Sequence, residues 1–325
     1  MRPTLTSLAR FAKKNRSIVV CTGREAIAQT KDGIQIRIPF PSVPAAIRPE
    51  DLLLVKNPRV EERDGSIILT DGTAIVRPVP AQSQDFSPEP FLSSPETVHI
   101  SNKMIDAMNR ASSACSRDEM RLQLHGVLLD GARALGTDGH RLHAMSIPYG
   151  STETPVYVPE SILPWLSEGS IKHGTYDGRQ TAVFSAYDDS ATIFWRNDRM
   201  FPDWRKVVPG MDSYHFHYRV DVTAMLASLA AVPKPAGKDK LRAISFGSRI
   251  KMETTDVTFN VETPGHGTWT RETRLNADYL ADAIESLGER GGGMLSIYGQ
   301  DREDCGPVRL CNDAGGFALI MPLRV

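Results

Sequence analysis

The sequence is poor in cysteine and has no long apolar run. Its four cysteines, Cys21, Cys115, Cys305 and Cys311, form no Cys-x-x-Cys pair, and a chain of this length needs no disulfide to stabilise a small core. We therefore expect reduced thiols in a cytoplasmic protein. No apolar stretch approaches the roughly 20 residues that cross a bilayer, so we expect no membrane partner.

The sequence also lacks an excess of either charge. With 38 lysines and arginines against 39 aspartates and glutamates, the net charge is -1, which excludes a polycation that coats nucleic acid as a whole. Any contact with DNA must come from local basic patches. The basic amphipathic start, residues 1–15, lacks the long apolar region and the small-residue cleavage site of a targeting segment, so we interpret it as the first helix.

Catalytic signatures are absent as well. His140 follows Asp138 around a turn, but no Gly-x-Ser-x-Gly motif or similar nucleophile context accompanies them. His215 and His217 have no third ligand at a zinc spacing, and the glycines at 291–293 lack the Lys-Ser or Lys-Thr of a phosphate loop. We expect no catalytic residue, no metal and no cofactor. A hydrolase that uses His140 and Asp138 remains an alternative.

Length and composition indicate several domains. A chain of 325 residues exceeds one core, since domains run to about 100–150 residues each. Segments at 78–95 and around 209–213 are rich in proline and polar residues, which interrupt both helices and strands. They predict domains at residues 1–90, 91–210 and 211–325.

The second and third domains repeat one order of elements. A helix predicted over 101–114, with Ser101 as its N-cap, is matched by a helix over 221–231, and short alternating strands follow each. Second helices are predicted over 160–167 and 277–287. Each helix follows its counterpart after about 120 residues, as a duplicated domain requires.

The first domain reads as an abbreviated copy. We predict a helix over 4–15, strands near 18–20 and 34–38, a shortened second helix over 48–56, and two strands around the Asp71-Gly72 turn. Helices on one face of antiparallel sheet make the fold class α+β.

Three stretches carry the most specific signal. Thr137 to Leu142 (TDGHRL) is a tight turn that enters a strand, residues 201–209 (FPDWRKVVP) form a connector bounded by prolines, and residues 319–325 (LIMPLRV) are an apolar tail. On these residues alone, the first is also typical of an ordinary hairpin corner and the last of a final core strand. Together, in this order and at these separations, they resemble the bacterial beta sliding clamp, the DNA polymerase III beta subunit. The resemblance covers residues 92–325 well and the first ninety poorly.

The resemblance implies three repeated clamp domains, with two such chains closing head to tail into a ring whose helices line the hole. It implies a non-catalytic processivity factor. The expected partners are double-stranded DNA, the DNA polymerase III catalytic subunit, clamp-loader subunits, other polymerases, and repair or ligation enzymes with clamp-binding peptides. Opening the ring would fall to an ATP-driven loader.

The resemblance also implies an apolar pocket, between the second and third domains, that accepts partner peptides. The matching residues are Leu124, Thr137, Gly139, His140, Arg141, Leu142, Pro202, Lys206, Val207, Leu319, Met321, Pro322 and Leu323. Methionine and proline among branched aliphatics suit several related peptides, and Arg141 and Lys206 could hold a peptide's polar ends. Lys206 replaces the family's usual arginine, so we expect a different partner preference.

DNA contacts are expected from long basic side chains that touch phosphates, because base-edge contacts would prevent sliding. The candidates are Arg10, Lys13, Lys14, Lys103 and Arg110, with Lys234, Lys238 and Lys240 as weaker choices. Each of these could instead belong to an ordinary solvated helix face. The short first domain leaves a second interpretation open, a clamp paralogue that keeps the pocket without efficient ring closure.

Overall fold

The computed structural model describes residues 3–79, 81, 90–147, 152–232, 242–246, 250–253, 258–260, 265–269, 272–288, 292–301 and 306–323. Within them lie the α-helices α1 (Leu5–Lys14), α2 (Pro49–Leu52), α3 (Asn102–Ser112), α4 (Val222–Ala231) and α5 (Ala277–Leu287). Short 3-10 helices span Leu122–Leu124, Glu160–Trp165, Trp204–Val207 and Met211–Ser213.

The strands are short and pair antiparallel throughout the described residues. The first group is β1 (Val19–Cys21), β2 (Glu25–Gln29), β3 (Gln35–Pro39), β4 (Ala45–Ile47), β5 (Arg59–Arg63), β6 (Ser66–Thr70), β7 (Ile75–Val76) and β8 (Ser93–Ile100). The second group is β9 (Gly126–Gly131), β10 (Arg133–Thr137), β11 (Arg141–Ser146), β12 (Thr152–Pro159), β13 (Gly169–Tyr176), β14 (Arg179–Ala186) and β15 (Thr192–Arg196). The third is β16 (Phe216–Asp221), β17 (Ala243–Phe246), β18 (Lys251–Glu253), β19 (Thr258–Asn260), β20 (Gly265–Thr268), β21 (Thr273–Asn276), β22 (Met294–Gly299), β23 (Val308–Cys311) and β24 (Phe317–Ile320).

One order of elements recurs three times along the chain. A helix is followed by four or five strands, a second helix or 3-10 helix, and three further strands, with α1, α3 and α4 starting the three copies. The predicted α+β class with a repeated fold is therefore confirmed. The predicted domain limits at residues 90 and 210 remain predictions.

Contacts divide the chain into two compact units, and the first comprises Met1–Ile105 with Ile162–Arg199. Its main sheet has the order β4-β1-β2-β3-β15-β14-β13-β8, and β5-β6-β7 form a second sheet. Helix α1 buries one apolar face that includes Leu8 and Phe11, and Phe11 meets Trp165 edge to face at 5.9 Å between ring centroids. This buried face is the one predicted from the helical spacing.

The second unit comprises Asp106–Ser161 with Met200–Val325. Its main sheet has the order β12-β9-β10-β11-β24-β23-β22-β16-β20, and β19-β18-β17-β21 form a smaller sheet. Helices α4 and α5 pack against each other, and α5 also contacts β11 and β24. Strands from distant parts of the sequence, β11 and β24, thus become neighbours.

Side-chain caps start the helices where the sequence predicts. The Ser101 hydroxyl accepts from the Met104 N–H at 3.3 Å, and the Asp221 carboxylate accepts from the Ala224 N–H at 2.8 Å. Asn276 caps α5 in the same way. Each cap satisfies backbone donors that the first helical turn leaves free.

Two predicted helices and one linker differ from the structure. The segment predicted as a helix over 160–167 is a 3-10 helix, Glu160–Trp165, because Pro164 inside it lacks an N–H and its ring blocks an α-helical turn. The helix predicted over 48–56 has a single turn, α2. Strand β8 begins at Ser93, inside the linker predicted to extend to residue 95.

No helix in the described part of the chain combines the length and apolar character that a membrane crossing needs.

Candidate functional site

The turn between β10 and β11 is held by its own side chains. One carboxylate oxygen of Asp138 accepts from the backbone N–H groups of His140 and Arg141 at 2.9 and 3.1 Å. The Thr137 hydroxyl donates to the Arg141 carbonyl at 2.6 Å. Gly139 has φ +92°, in the region that glycine adopts readily. The turn is therefore locally fixed, as the Asp-Gly pair predicts.

Strand pairing places this turn beside the end of the described chain. In the antiparallel pair of β11 and β24, Arg141 is opposite Ile320 and Leu142 is opposite Leu319. The Met321 N–H continues the ladder by donating to the His140 carbonyl at 2.9 Å. The expected meeting of TDGHRL with the apolar tail is confirmed.

The connector at 201–209 is anchored to the same sheet. Asp203 caps the 3-10 helix Trp204–Val207, and the Trp204 indole N–H donates to the buried carboxylate of Asp130 at 2.8 Å. Arg205 pairs with the other oxygen of that carboxylate at 3.0 Å. The Trp204 ring also lies 6.4 Å from the Phe317 ring. These contacts hold the connector over β9 and β24.

A cavity of about 150 Å³ lies between the turn, the connector and β24, wholly within the second unit. Ten of the thirteen predicted residues line it: Leu124, Thr137, Gly139, His140, Arg141, Leu142, Pro202, Val207, Leu319 and Met321. The sequence analysis did not assign four further lining residues, Phe201, Asp203, Trp204 and Pro307. Three of these four belong to the connector already singled out, whereas no sequence signal marks Pro307.

The floor of this cavity is part of the hydrophobic core. Leu142 and Leu319, each 4% exposed, belong to a buried cluster with Leu135, Ala144 and Phe317. The rim is exposed instead, with Val207 at 58% and Met321 at 48%. A preformed floor with accessible apolar side chains at its edge suits the burial of an apolar ligand segment.

Three predicted residues do not line the cavity. Lys206 is 81% exposed, with its ammonium 3.7 Å from the Asp203 carboxylate at the rim. Leu323 donates its N–H to the Arg274 carbonyl at 2.8 Å, and it follows Pro322 in the segment beyond the cavity. These residues remain candidates for contact with the outer part of a longer ligand.

Arg141 lines the cavity and is also held by several partners. Its guanidinium is 9% exposed and bonds Asp138 at 3.0 Å, Asp282 of α5, and the Ser113 carbonyl at 2.9 Å. It also lies 4.3 Å above the Tyr279 ring centroid. Through these partners, Arg141 fixes the cavity wall to α5.

The predicted alternative of a His140–Asp138 catalytic pair receives no support from this geometry. Both oxygens of the Asp138 carboxylate bind turn N–H groups or the Arg141 guanidinium, and the His140 residue is exposed. A carboxylate committed to a turn in this way does not orient a general base.

A buried polar cluster behind the turn was not predicted. His143 is fully buried, with Nδ1 3.0 Å from the Ser113 hydroxyl, which lies 2.8 Å from the Ser286 hydroxyl. Burial first, and then the charge of Arg141, lower the pKa of His143 to about 3, although a hydrogen bond to the Arg110 carbonyl opposes the shift. The imidazole is therefore neutral in the folded protein.

The basic candidates for DNA contact fall into two groups. Arg10, Lys13 and Lys14 of α1 and Lys103 of α3 are exposed. Arg110 instead pairs with Asp106 at 2.8 Å, and its guanidinium donates to the carbonyls of Ser286 and Gly288 near the end of α5. Arg110 thus has a structural function, which makes it a weaker candidate. Lys234, Lys238 and Lys240 lie outside the described residues.

Comparisons with known proteins identify the fold. No protein-family model matches the sequence, and no curated protein matches it. Among solved structures, the DNA polymerase III subunit beta of Bartonella birtlesii, a sliding clamp bound to griselimycin, has a TM-score of 0.72 and 16% identity, covering 95% of this chain and 91% of that one. The Helicobacter pylori beta clamp bound to a DNA ligase peptide has a TM-score of 0.68 and 15% identity, covering 99% and 98%. The Caulobacter crescentus DNA polymerase sliding clamp has a TM-score of 0.69 and 19% identity, covering 95% and 91%. The chain therefore has the sliding-clamp fold.

Proposed function

We propose that this chain is a DNA sliding clamp, a processivity factor that encircles duplex DNA and tethers the replicative polymerase. The observation that carries the proposal is the cavity formed where TDGHRL, the connector and β24 meet in a chain of sliding-clamp fold. Tethering converts weak binding of a polymerase to DNA into a high effective concentration, which requires no catalytic group in the clamp.

The cavity would serve as the attachment point for partners. Its apolar rim residues Val207 and Met321 lie beside a floor that is already packed, so an incoming apolar side chain would meet a formed surface. Met321 is flexible enough to adapt to related ligands. Clamps of the same fold bind a DNA ligase peptide and griselimycin, which supports a short, largely apolar peptide as the ligand here.

We also propose that the exposed basic side chains contact the DNA duplex. Arg10, Lys13, Lys14 and Lys103 can reach phosphates through long hydrated stems, which keeps the contacts independent of sequence. We propose that two chains form the ring as a homodimer in the cytoplasm. The proposed protein partners are the polymerase III catalytic subunit, clamp-loader subunits, other polymerases, and repair or ligation enzymes with clamp-binding peptides.

Calorimetric titration with two probes tests the cavity: griselimycin, and the DNA ligase peptide that the Helicobacter pylori clamp binds. The double variant Val207→Ser/Met321→Ser should bind both probes about tenfold more weakly or worse, because it removes apolar area from the rim. Both side chains are about half exposed, so the variant should fold normally. The matched control is Met211→Ser, which changes a 47% exposed methionine that does not line the cavity.

The control should bind both probes with unchanged affinity. If neither probe binds the unaltered protein, or if the rim variant and the control bind equally well, then the cavity is not the attachment point.

One observation favours the paralogue as a second candidate function. In the first copy of the repeat, the second helix has a single turn, α2. A reduced first domain would offer less surface for ring closure. Such a protein would bind client peptides without retaining DNA topologically.

A further inference from the structure

A second cavity lies within the first unit. Its volume is about 420 Å³. Three chain segments supply most of its walls, the β2–β3 turn, the β13–β14 turn and the end of β15, and Pro90 adds to the lining. Its lining includes three cationic side chains and one carboxylate.

Each of these segments contributes one cation. Lys31 comes from the β2–β3 turn, Arg179 from the start of β14, and Arg196 from the end of β15. Like charges on one helix face can be neighbours simply because of the helical repeat. Here the three cations come from distant positions in the sequence and meet at one cavity. Convergence of three positive charges is unfavourable by itself and creates a local positive potential that attracts anions.

The three cations have no counterion among the residues that the structure describes. Among the described residues, Lys31, Arg179 and Arg196 form no ion pair, and their side chains make no hydrogen bond. Arg196 is nevertheless positioned, because its side chain lies over Gly33, where an added Cβ would be 3.5 Å from Nε. The turn that carries Arg179 is also fixed, since Asp177 and Gly178 both have positive φ, as in a tight type I′ hairpin.

This cavity occupies the place in the fold repeat that matches the apolar cavity. In each case the third strand of one copy pairs with the last strand of the next copy, as β3 with β15 and β11 with β24. Each cavity lies beside the turn that enters the third strand, and each turn contains a glycine with similar φ, +87° at Gly33 and +92° at Gly139. Duplication has therefore produced two cavities with opposite chemistry.

The lining also indicates the kind of anion. Besides the three cations, the exposed Asp177 borders the cavity and forms no ion pair with the described residues, so the site offers an acceptor as well as donors. A phosphate group supplies acceptors only, whereas an acidic peptide supplies both carboxylates and backbone N–H donors. We propose that this cavity binds an acidic peptide segment of a protein partner, through Lys31, Arg179 and Arg196. The site is independent of the function proposed for the apolar cavity.

Fluorescence anisotropy with a fluorescein-labelled hexaglutamate peptide tests the assignment on the full chain. The peptide should bind more tightly than labelled hexaglutamine, and the affinity should fall as salt increases. The double variant Arg179→Gln/Arg196→Gln should weaken binding about tenfold or more, because charge-assisted contacts are lost. All the altered side chains are exposed, so thermal unfolding should be unchanged.

Three comparisons make the result specific. Lys172→Gln removes an exposed charge on the neighbouring strand β13, outside the cavity, and should leave affinity unchanged. Val207→Ser/Met321→Ser should also bind hexaglutamate normally, whatever its effect on apolar probes. A labelled DNA duplex and inorganic phosphate are the remaining probes. Equal binding of hexaglutamate and hexaglutamine would overturn the proposal, and so would a loss confined to DNA or phosphate in the double variant.

Discussion

At the scale of single residues, His143 makes the stability of the folded protein depend on pH. An unfolded chain protonates this histidine below its usual pKa near 6.5, whereas burial lowers the folded pKa to about 3. The unfolded state therefore binds more protons between these values, and stability falls as the pH falls through them. Above about pH 6.5 the contribution is fully retained.

Urea unfolding at pH 7 and pH 5 measures this effect. The unaltered protein should lose about 2 kcal/mol more than His143→Gln over this interval, because the variant has no imidazole to protonate. His140→Gln, which alters an exposed histidine, serves as the control and should keep the pH dependence of the unaltered protein. Identical losses in all three proteins would contradict a buried neutral His143.

Single residues also show where sequence reasoning ends. The three stretches that resemble a clamp contain nine of the ten predicted residues that line the cavity, and Leu124 is the tenth, because within each stretch the lining residues are close together along the chain. The role of Arg141 depends on Asp282 and Tyr279, which lie about 140 positions away, and no local pattern indicates that they meet it. The contact between Ser113 and Ser286, which are 173 positions apart, is equally invisible to local patterns.

At the scale of elements, the β10–β11 turn should depend on Gly139. Alanine is strained at φ +92°, and its Cβ would lie 3.0 Å from the Arg121 guanidinium. Gly139→Ala should cost about 1–2 kcal/mol in the free energy of unfolding. Because this turn forms one cavity wall, the affinity for griselimycin should fall as well. Urea unfolding and calorimetry measure the two effects.

Gly72→Ala is the matched control for this turn. Gly72 has φ +96° with no atom within 4 Å of the added Cβ, and it lies in the β6–β7 turn, which does not line the cavity. It should show a similar loss of stability with unchanged ligand affinity. If both variants lower the affinity for griselimycin equally, then the effect of Gly139→Ala on binding comes from general destabilisation of the protein.

Helices capped by local side chains were predictable as elements. Ser101, Asp221 and Asn276 all cap the helices expected from them, since a cap acts within three residues. The error at Glu160–Trp165 came from extending a helix through Pro164. Apolar spacing favours a helix there, but the spacing does not take into account that Pro164 has no N–H to donate to the carbonyl four residues earlier.

At the scale of the whole molecule, the clamp and the paralogue predict different behaviour on DNA. Loaded onto a nicked circle by a clamp loader with ATP, an encircling ring should remain on the closed DNA and leave when the circle is cut. Its solution mass should be twice the 35.8 kDa of one chain. A monomer that stays bound after linearisation would contradict encirclement, and a monomer that is never retained would favour the paralogue.

The repeated fold was visible in the sequence because each copy restarts with a helix at a regular interval. The pairing of β3 with β15 and of β11 with β24 was not. Hydrophobic alternation predicts which face of a strand is buried, but it does not predict which strand pairs with it. The cationic cavity in the first unit escaped notice for this reason, since its three charges are adjacent only after β3 and β15 pair.

The shared use of Leu142 and Leu319 as cavity floor and as core has an evolutionary consequence. A substitution that reshapes the floor also removes packing from the interior, so selection for folding would reject most such changes. If the cavity binds partner peptides as proposed, differences in partner preference between related chains should be concentrated at Val207, Met321 and Lys206, whose exposed side chains can vary without loss of the fold.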